Sequence, residues 1–104
     1  MLYEMRTYRL KVGAVNHYLR LVEDVGISIQ TRHLGKLAGY FSSEIGVLNE
    51  IIHIWAYSDL LDRQRRREQL AMDTDWQDFL PKIQVLIEVI ESKILSPANF
   101  SPLQ

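Results

Sequence analysis

The sequence predicts an α+β domain with the element order βαββαβ and a four-stranded antiparallel sheet. Four segments have the alternating or continuously apolar pattern that is typical of strands. Two regions between them repeat apolar residues every three or four positions, which is the helical period. The 104 residues, of which 47% are apolar and 24% are charged, have the size and composition of one globular domain that spans residues 1–104.

The first half of the chain is predicted to form a strand, a helix and two more strands. Residues 2–10 contain tyrosine and threonine, which suit a pleated surface. A helix is predicted over about 14–34, and Gly35 is expected to end it with a positive φ angle. Residues 37–45 and 49–57 form the next two strands, which are neighbours because only a short connection joins them. The apolar stripe of the helix consists of Val15, Tyr18, Val22, Val25 and Ile29.

The second half is predicted to contain a helical region and the last strand. Strong helix formers predict a helix over 59–73, and helical spacing resumes in a second piece over about 75–85. Pro81 lies inside the second piece, where it removes one backbone hydrogen bond and favours a kink. Residues 87–95 are predicted to be the fourth strand. The last residues, 97–104, contain two prolines and are expected to form an extended C-terminal arm.

The third strand is predicted to lack a polar face. Its two sets of alternating side chains are Ile52, Ile54 and Ala56, and Ile51, His53, Trp55 and Tyr57. In a βαββαβ arrangement both helical segments cross one face of the sheet, so an apolar opposite face needs another cover. We expect a second copy of the chain to cover it, in a homodimer or higher oligomer whose two sheets pack face to face and close into a barrel. The alternative is that the arm 97–104 folds over this face.

Charge and composition argue against several classes of function. Twelve basic and thirteen acidic side chains nearly cancel, so no nucleic-acid partner is predicted. No apolar run approaches the ~20 residues that span a bilayer, and the N-terminus does not resemble a signal peptide, so we expect a soluble cytoplasmic protein without a membrane span. The absence of cysteine and the spacing of the three histidines predict no metal site. No phosphate-binding loop is present, and no cofactor is predicted.

His53, Arg6 and Tyr8 are the polar residues of greatest chemical interest. His53 lies among apolar strand residues, so it is either a hydrogen-bonded core residue or an imidazole that lines a pocket and titrates near neutral pH. Arg6 and Glu4 are two residues apart on a strand and point to the same side. They are expected either to neutralise each other in the core or to leave Arg6 free to bind a substrate carboxylate. Tyr8 shares that side and, with His53, is a candidate for proton transfer.

Several further positions extend the candidate site. Trp55 and Trp76 are large apolar groups with one donor each, and they are expected to be core, interface or pocket walls. Glu44 is a candidate general base only if burial raises the pKa of its carboxyl group, and otherwise it is solvated in a turn. Four arginines suggest a basic patch, but they surround their helix and have acidic neighbours, so salt-linked surface is the favoured interpretation. They are Arg63, Arg65, Arg66 and Arg67.

A set of short motifs follows one order along the whole chain. They are EMRTYRLKVG at 4–13, LAGYFSSEIG at 37–46 with Leu48 and Asn49, HIWAY at 53–57, Arg63 and Arg67 before Asp75 and Trp76, and Phe100 to Pro102. In this order they resemble the NIPSNAP family. The resemblance implies a ferredoxin-like fold that pairs into a dimeric α+β barrel, as in the antibiotic-biosynthesis monooxygenases, but no defined reaction. The resemblance also marks seven residues as motif positions of the family, without assigning a role to any of them. They are Arg6, Tyr8, Glu44, Asn49, His53, Trp55 and Tyr57.

The residues and the resemblance together predict a homodimeric protein that binds a small molecule between sheet and helices. The expected ligand is a partly aromatic or carboxylate-bearing metabolite, and an oxygenase-like or isomerase-like reaction is one form of the hypothesis. In that form Arg6 orients the anion, and His53 or Tyr8 exchanges a proton. The alternative is a non-enzymatic dimeric interaction module whose polar strand residues satisfy one another. A cavity of about 300 Å³ or more favours the first hypothesis, and a filled interior favours the second.

Overall fold

The computed structural model describes all 104 residues and has the predicted element order. The strands are β1 (Leu2–Leu10), β2 (Lys36–Ser42), β3 (Glu50–Tyr57) and β4 (Ile87–Leu95). The helices are α1 (Val15–Leu21), α2 (Ile27–His33), α3 (Leu60–Met72) and α4 (Thr74–Gln84). The strands form one antiparallel sheet in the order β2-β3-β1-β4. This confirms the ferredoxin-like α+β fold, and within one chain the sheet is open at both edges.

The first helical region differs from the prediction in its phase. A π-helical turn, Val22–Gly26, joins α1 to α2, so the region is helical from 15 to 33 without being one regular α-helix. A π turn inserts one residue and therefore rotates the apolar stripe. Val25, predicted to lie in the stripe, is exposed, and Gly26 is buried in its place. A Cβ atom on Gly26 would lie 2.6 Å from the Phe79 ring, so the turn depends on a residue without a side chain.

The prediction that Gly35 ends the helix with a positive φ angle is wrong. The glycines with positive φ are Gly13 and Gly46, both in turns. The chain leaves α2 through Leu34, which already has an extended ψ of 168°. Gly35 is required for a different reason, because a Cβ atom there would lie only 1.9 Å from the carbonyl oxygen of Ala56 on β3. The close approach of the two strands, and not a left-handed turn, therefore demands glycine.

Pro81 is accommodated inside α4. It lies near the C-terminal end of the helix, where it removes a single intrahelical hydrogen bond. At the other end, Asp73 caps the helix by accepting hydrogen bonds from the backbone N–H groups of Asp75 and Trp76. The same carboxylate accepts from Nε2 of His33 over 2.6 Å, which ties α2 to the junction of α3 and α4.

The hydrophobic core lies on one side of the sheet, between the strands and the layer of helices. Its largest fully buried side chains include Trp55, Tyr18 and Tyr57. The opposite face has no helix over it, and the molecule is only 20 Å thick along its shortest axis, as expected for two layers. Phe41 on this face is 55% exposed and Val89 is 46% exposed. The structure thus leaves one face of the sheet uncovered, as the sequence predicted, but this face also carries charged side chains, among them Arg9, Glu50 and Glu91.

The C-terminal residues 96–104 fold back and do not form the extended arm that was expected. A turn is closed by the N–H of Ser101, which donates to the carbonyl oxygen of Ala98 over 2.9 Å. Tyr3 on the open face donates its hydroxyl to the carbonyl oxygen of Gln104 over 2.8 Å. The segment lies against one corner of the sheet, beside Ile54 and Leu95. It therefore covers a part of the open face and leaves most of it exposed.

Candidate functional site

The residues that were predicted to bind a ligand all line one cavity between the sheet and the helices. They are Arg6, Tyr8, His53, Trp55 and Trp76. The cavity has a volume of about 180 Å³, and most of the residues around it are apolar. Glu44 is not among them, because it lies in the exposed connection between β2 and β3. The structure thus separates the predicted general base from the other candidates.

The pairing of β1 with β3 brings the polar side chains of the cavity together. Arg6 is directly opposite His53 in this pair, and Glu4 is opposite Trp55. Residues opposite each other, or two apart on one strand, point to the same face of the sheet. Tyr8 therefore lies on the helix-covered face with them. From the other side, α4 contributes Trp76 to the wall.

His53 is held as a neutral imidazole with one defined tautomer. The indole Nε1–H of Trp55 donates to Nδ1 of His53 over 2.8 Å. Because Nδ1 accepts this bond, the ring hydrogen is on Nε2. Only 1% of the residue is exposed, and burial, with the nearby charge of Arg6, lowers the pKa of His53 to about 3. His53 is therefore a hydrogen-bond donor at neutral pH and does not offer a free lone pair as a base.

Two tyrosine rings hold the imidazole in place. Tyr40 stacks on His53 with ring centroids 4.6 Å apart, and Tyr8 meets it edge to face at 4.8 Å. The hydroxyl of Tyr40 shares a hydrogen bond of 2.7 Å with that of Tyr18. Burial raises the pKa of both Tyr18 and Tyr40, so both hydroxyls remain protonated. The imidazole therefore has little freedom to rotate.

Glu4 is a buried carboxylate that organises the surrounding cations. Its Oε2 atom accepts hydrogen bonds from Arg6 over 3.1 Å and from Arg63 over 2.8 Å. It also accepts from the hydroxyl of Ser92 over 2.6 Å. Burial opposes ionisation of Glu4, but the hydrogen bonds from Arg63 and Ser92 and the charges of both arginines outweigh it and lower its pKa to about 2. Glu4 is therefore ionised at every physiological pH.

Arg6 is largely committed to its neighbours. Besides the contact with Glu4, its Nε–H donates to the hydroxyl oxygen of Tyr8 over 2.9 Å. This arrangement matches the prediction that Glu4 and Arg6 neutralise each other in the core. Because the Tyr8 hydroxyl accepts from Arg6, its own hydrogen is available for donation into the cavity.

A third guanidinium group, that of Arg67, also lines the cavity. No ion pair of the chain includes it. Burial and the charge of Arg6 lower the pKa of Arg67. Four buried atoms near these charges have no hydrogen-bond partner within the chain. They are Oε1 of Glu4, Nε2 of His53, the hydroxyl oxygen of Tyr57 and Nε of Arg63.

Arg63, Arg67 and Ser92 belong to the site but were not predicted to, although a signal for the arginines existed. Between Leu61 and Leu70 this helix has no apolar residue, so polar side chains must fill the middle of its inward face. Arg63 and Arg67 are four residues apart and share one face. The interpretation as salt-linked surface holds only for Arg66, which pairs with Asp62 over 2.8 Å. Ser92 had no signal of its own, because its role depends on the pairing of β4 with β1 opposite Arg6.

The chain contains neither a cluster of metal ligands nor a membrane-spanning helix. No group of three or more histidine, aspartate or glutamate side chains is placed to hold a metal ion. None of the helices has the length and apolar content needed to cross a bilayer.

Comparison with known sequences identifies the family of the chain. The NIPSNAP family model matches residues 3–102. Protein NipSnap from Drosophila melanogaster is 34% identical over 107 residues, which cover 99% of this chain. Protein NipSnap homolog 3A from Homo sapiens is 38% identical over 94 residues, which cover 88% of this chain. The chain spans 37% of the length of each of these two curated relatives.

Solved structures place the fold in the same family and in a wider group. A NIPSNAP family protein with unknown function from Agrobacterium tumefaciens has a TM-score of 0.98 and 62% identity, covering 100% of this chain and 94% of that chain. A putative antibiotic biosynthesis monooxygenase from Nitrosomonas europaea has a TM-score of 0.68 at 11% identity, covering 93% of this chain and 98% of that one. The second similarity concerns the fold alone. The family model and both relatives cover most of the sequence, and this chain therefore belongs to the NIPSNAP family.

Proposed function

We propose that the protein is a homodimer that binds a small molecule in the cavity between its sheet and its helices. One observation carries the proposal. The cavity of about 180 Å³ is lined by Arg6 and His53, and Nε2 of His53 is buried without a partner in the chain. A buried donor that lacks an acceptor costs free energy, so its retention is explained by an acceptor that a ligand supplies.

The size of the cavity limits the ligand to a compact molecule. Sites for drug-sized ligands begin at about 300 Å³, and this cavity is smaller. A cavity of about 150 Å³ is sufficient for benzene. The proposed ligand is thus a ring-sized metabolite that is partly aromatic or bears a carboxylate. The unpartnered polar atoms favour this function over a module with a fully satisfied interior.

The uncovered sheet face supports the homodimer. A folded monomer of this mass is expected to expose about 6,100 Å², whereas the 12.2 kDa chain exposes 6733 Å². β4 also has an unpaired edge, which is a template for pairing with a second chain.

A more specific form of the proposal is that the protein is an enzyme. An oxygenase-like or isomerase-like step would use Tyr8 as a hydrogen-bond or proton donor and the neutral His53 as a hydrogen-bond donor beside the ligand, since Nδ1 of His53 is occupied by Trp55. Glu44 has no part in this step, because the exposed loop that contains it does not line the cavity. The cytoplasmic location predicted from the sequence remains a prediction.

A non-enzymatic interaction module is the second candidate function. It is favoured by the loop between β2 and β3, in which Ile45, Val47 and Leu48 are all exposed. Such a cluster of exposed apolar side chains at a loop tip suits contact with another protein. In this candidate the cavity has no ligand, and the dimer presents the loop to its partner.

A metabolite screen by thermal melting tests the proposed function. We expect at least one compact metabolite to raise the melting temperature of the purified protein, because a ligand that binds only the native state stabilises it. Gln84 is exposed and lines the cavity. Gln84→Trp should therefore abolish this rise, because the larger side chain would block the cavity. Val85→Trp is the matched control, because the neighbouring residue does not line the cavity. A rise that is equal in both variants would place the ligand elsewhere.

A further inference from the structure

The cavity has an excess of positive charge. Three guanidinium groups, those of Arg6, Arg63 and Arg67, lie near one carboxylate, that of Glu4. Arg6 is paired with Glu4, and the side chain of Arg63 is 29% exposed, so water can solvate it. Arg67 has no ion-pair partner in the chain, although it faces the same interior. Arg67 is half-buried, and a partly desolvated charge without a counter-charge is unfavourable, so this site is suited to a negative charge from a ligand.

Two of the lining residues, His53 and Arg67, carry donors that suit a carboxylate. Nε2–H of His53 is fixed in direction, because Trp55 binds the other ring nitrogen and two tyrosine rings hold the imidazole. The guanidinium of Arg67 offers a planar set of donors that matches the two oxygens of a carboxylate. One monoanion can therefore satisfy both the unpaired cation and the unpaired donor.

The apolar walls and the volume of the cavity limit the part of the ligand that carries no charge. Trp76, Leu70 and Leu80 line the cavity opposite the polar groups. Its volume of about 180 Å³ holds a ring of the size of benzene with a small substituent. We propose that the cavity is a binding site for a compact monocarboxylate with an apolar, ring-sized body, whose carboxylate is held by Arg67 and by Nε2–H of His53. This inference rests on the proposed function and specifies the class of its ligand.

Three probes of nearly equal shape and different charge test the inference. Benzoate, benzamide and benzamidine carry negative, zero and positive charge, and their binding to the purified protein can be followed by the ring resonances of His53 and by calorimetry. We expect benzoate to bind at least about tenfold more tightly than benzamide, and benzamidine to bind most weakly. Benzoate should also shift the Nε2–H resonance of His53, since it accepts a hydrogen bond there. This comparison uses only the wild-type protein, so it tests the inference even if a variant does not fold.

A pair of arginine variants tests the assigned residue. Arg67→Gln should weaken benzoate binding at least about tenfold and leave benzamide binding nearly unchanged. Arg65→Gln is the matched control, because it removes the same charge from an exposed position of α3. Equal losses in both variants would mean a general charge effect and would overturn the role of Arg67. Arg67→Lys keeps the charge but loses the planar donors, and it replaces Arg67→Gln if that variant does not fold.

The outcomes separate this inference from the proposed function. If all three probes shift His53 with equal affinity, the cavity binds small molecules, but the anion inference is wrong. If no probe binds while the metabolite screen finds another ligand of the cavity, the inference is overturned and the proposed function stands. If neither experiment finds a ligand that Gln84→Trp excludes, both are wrong.

Discussion

Glu4 is the residue on which the buried charges depend. Its carboxylate is completely buried, and one oxygen accepts from two arginines and a serine. Removing one partner from such a network leaves the other charges unpaired in a medium where water cannot solvate them. Arg6 and Arg63 would then lose their counter-charge, and Arg67 already lacks an ion-pair partner.

Glu4→Gln tests this arrangement. The substitution keeps the shape of the side chain but removes its charge, so we expect the free energy of unfolding at pH 7 to fall by about 3 kcal/mol. Urea denaturation followed by fluorescence of the two tryptophans measures the change. Glu88→Gln, which removes an exposed carboxylate from β4, should change stability by less than about 0.5 kcal/mol. Similar effects of the two substitutions would contradict the proposed network.

The pH dependence of stability gives a second test at the same residue. The pKa of Glu4 is about 2 in the folded protein and 4.5 in an unperturbed side chain. Between these values the unfolded chain binds a proton that the folded chain does not, so the contribution of Glu4 is complete above about pH 4.5 and is lost as the pH falls towards 2. Glu4→Gln should therefore show a smaller loss of stability over this range. An unchanged slope in the variant would mean that Glu4 is not the group responsible.

Close backbone packing decides the geometry where α2 leads into β2. Gly35 has an ordinary backbone conformation, and what it requires is space, because the carbonyl oxygen of Ala56 occupies the position of a Cβ atom. Gly13 presents the opposite case, because its φ is +81° and a Cβ atom there would have no other atom within 4 Å. Gly35 is thus required by a close contact, whereas Gly13 is required by its backbone conformation.

Substitution of each glycine by alanine distinguishes close contact from backbone conformation as the reason for glycine. Gly35→Ala should lower the free energy of unfolding by about 3 kcal/mol or more, because β2 must move away from β3. Gly13→Ala should cost only about 1 kcal/mol, the strain of a left-handed conformation. Thermal melts of the two variants make the comparison. A larger loss for Gly13→Ala would mean that backbone conformation, and not strand contact, dominates.

The uncovered sheet face is the main feature of the molecule as a whole. The helices cover one side, and the C-terminal segment covers only a corner of the other. A face with this much apolar surface is unusual on a monomer, and a second chain is the simplest cover for it. The aromatic and aliphatic side chains of this face would then be buried in the dimer.

Sedimentation of the wild-type protein and of one variant tests the dimer. At micromolar concentration we expect a species of twice the 12.2 kDa chain mass. Ile52→Lys places a charge on the open face and should weaken association by about a hundredfold or more, because the lysine would be buried without a partner. Ile45→Lys, in the exposed loop, is the control and should still form dimers. A stable wild-type monomer would contradict the proposal.

Much of the fold could be predicted because local patterns determine it. The four strands lie within a few residues of their predicted positions, since alternation is a property of neighbouring residues. The same alternation put Arg6 with Tyr8 on one side of β1 and His53 with Trp55 on one side of β3, and the register of the two strands places both pairs on one face. Glycine was less predictable, because a sequence shows where glycine occurs but not whether space or a positive φ angle requires it.

The amino-acid sequence alone determined the order of the elements and the strand residues that share a side, Arg6 with Tyr8 and His53 with Trp55. The inward orientation of Arg63 and Arg67, and the tautomer of His53, became evident only in the folded chain. These features depend on how α3 lies across the sheet and on which nitrogen Trp55 contacts. Such contacts join residues far apart in the chain or depend on side-chain rotamers, and the periodicity of a sequence contains neither.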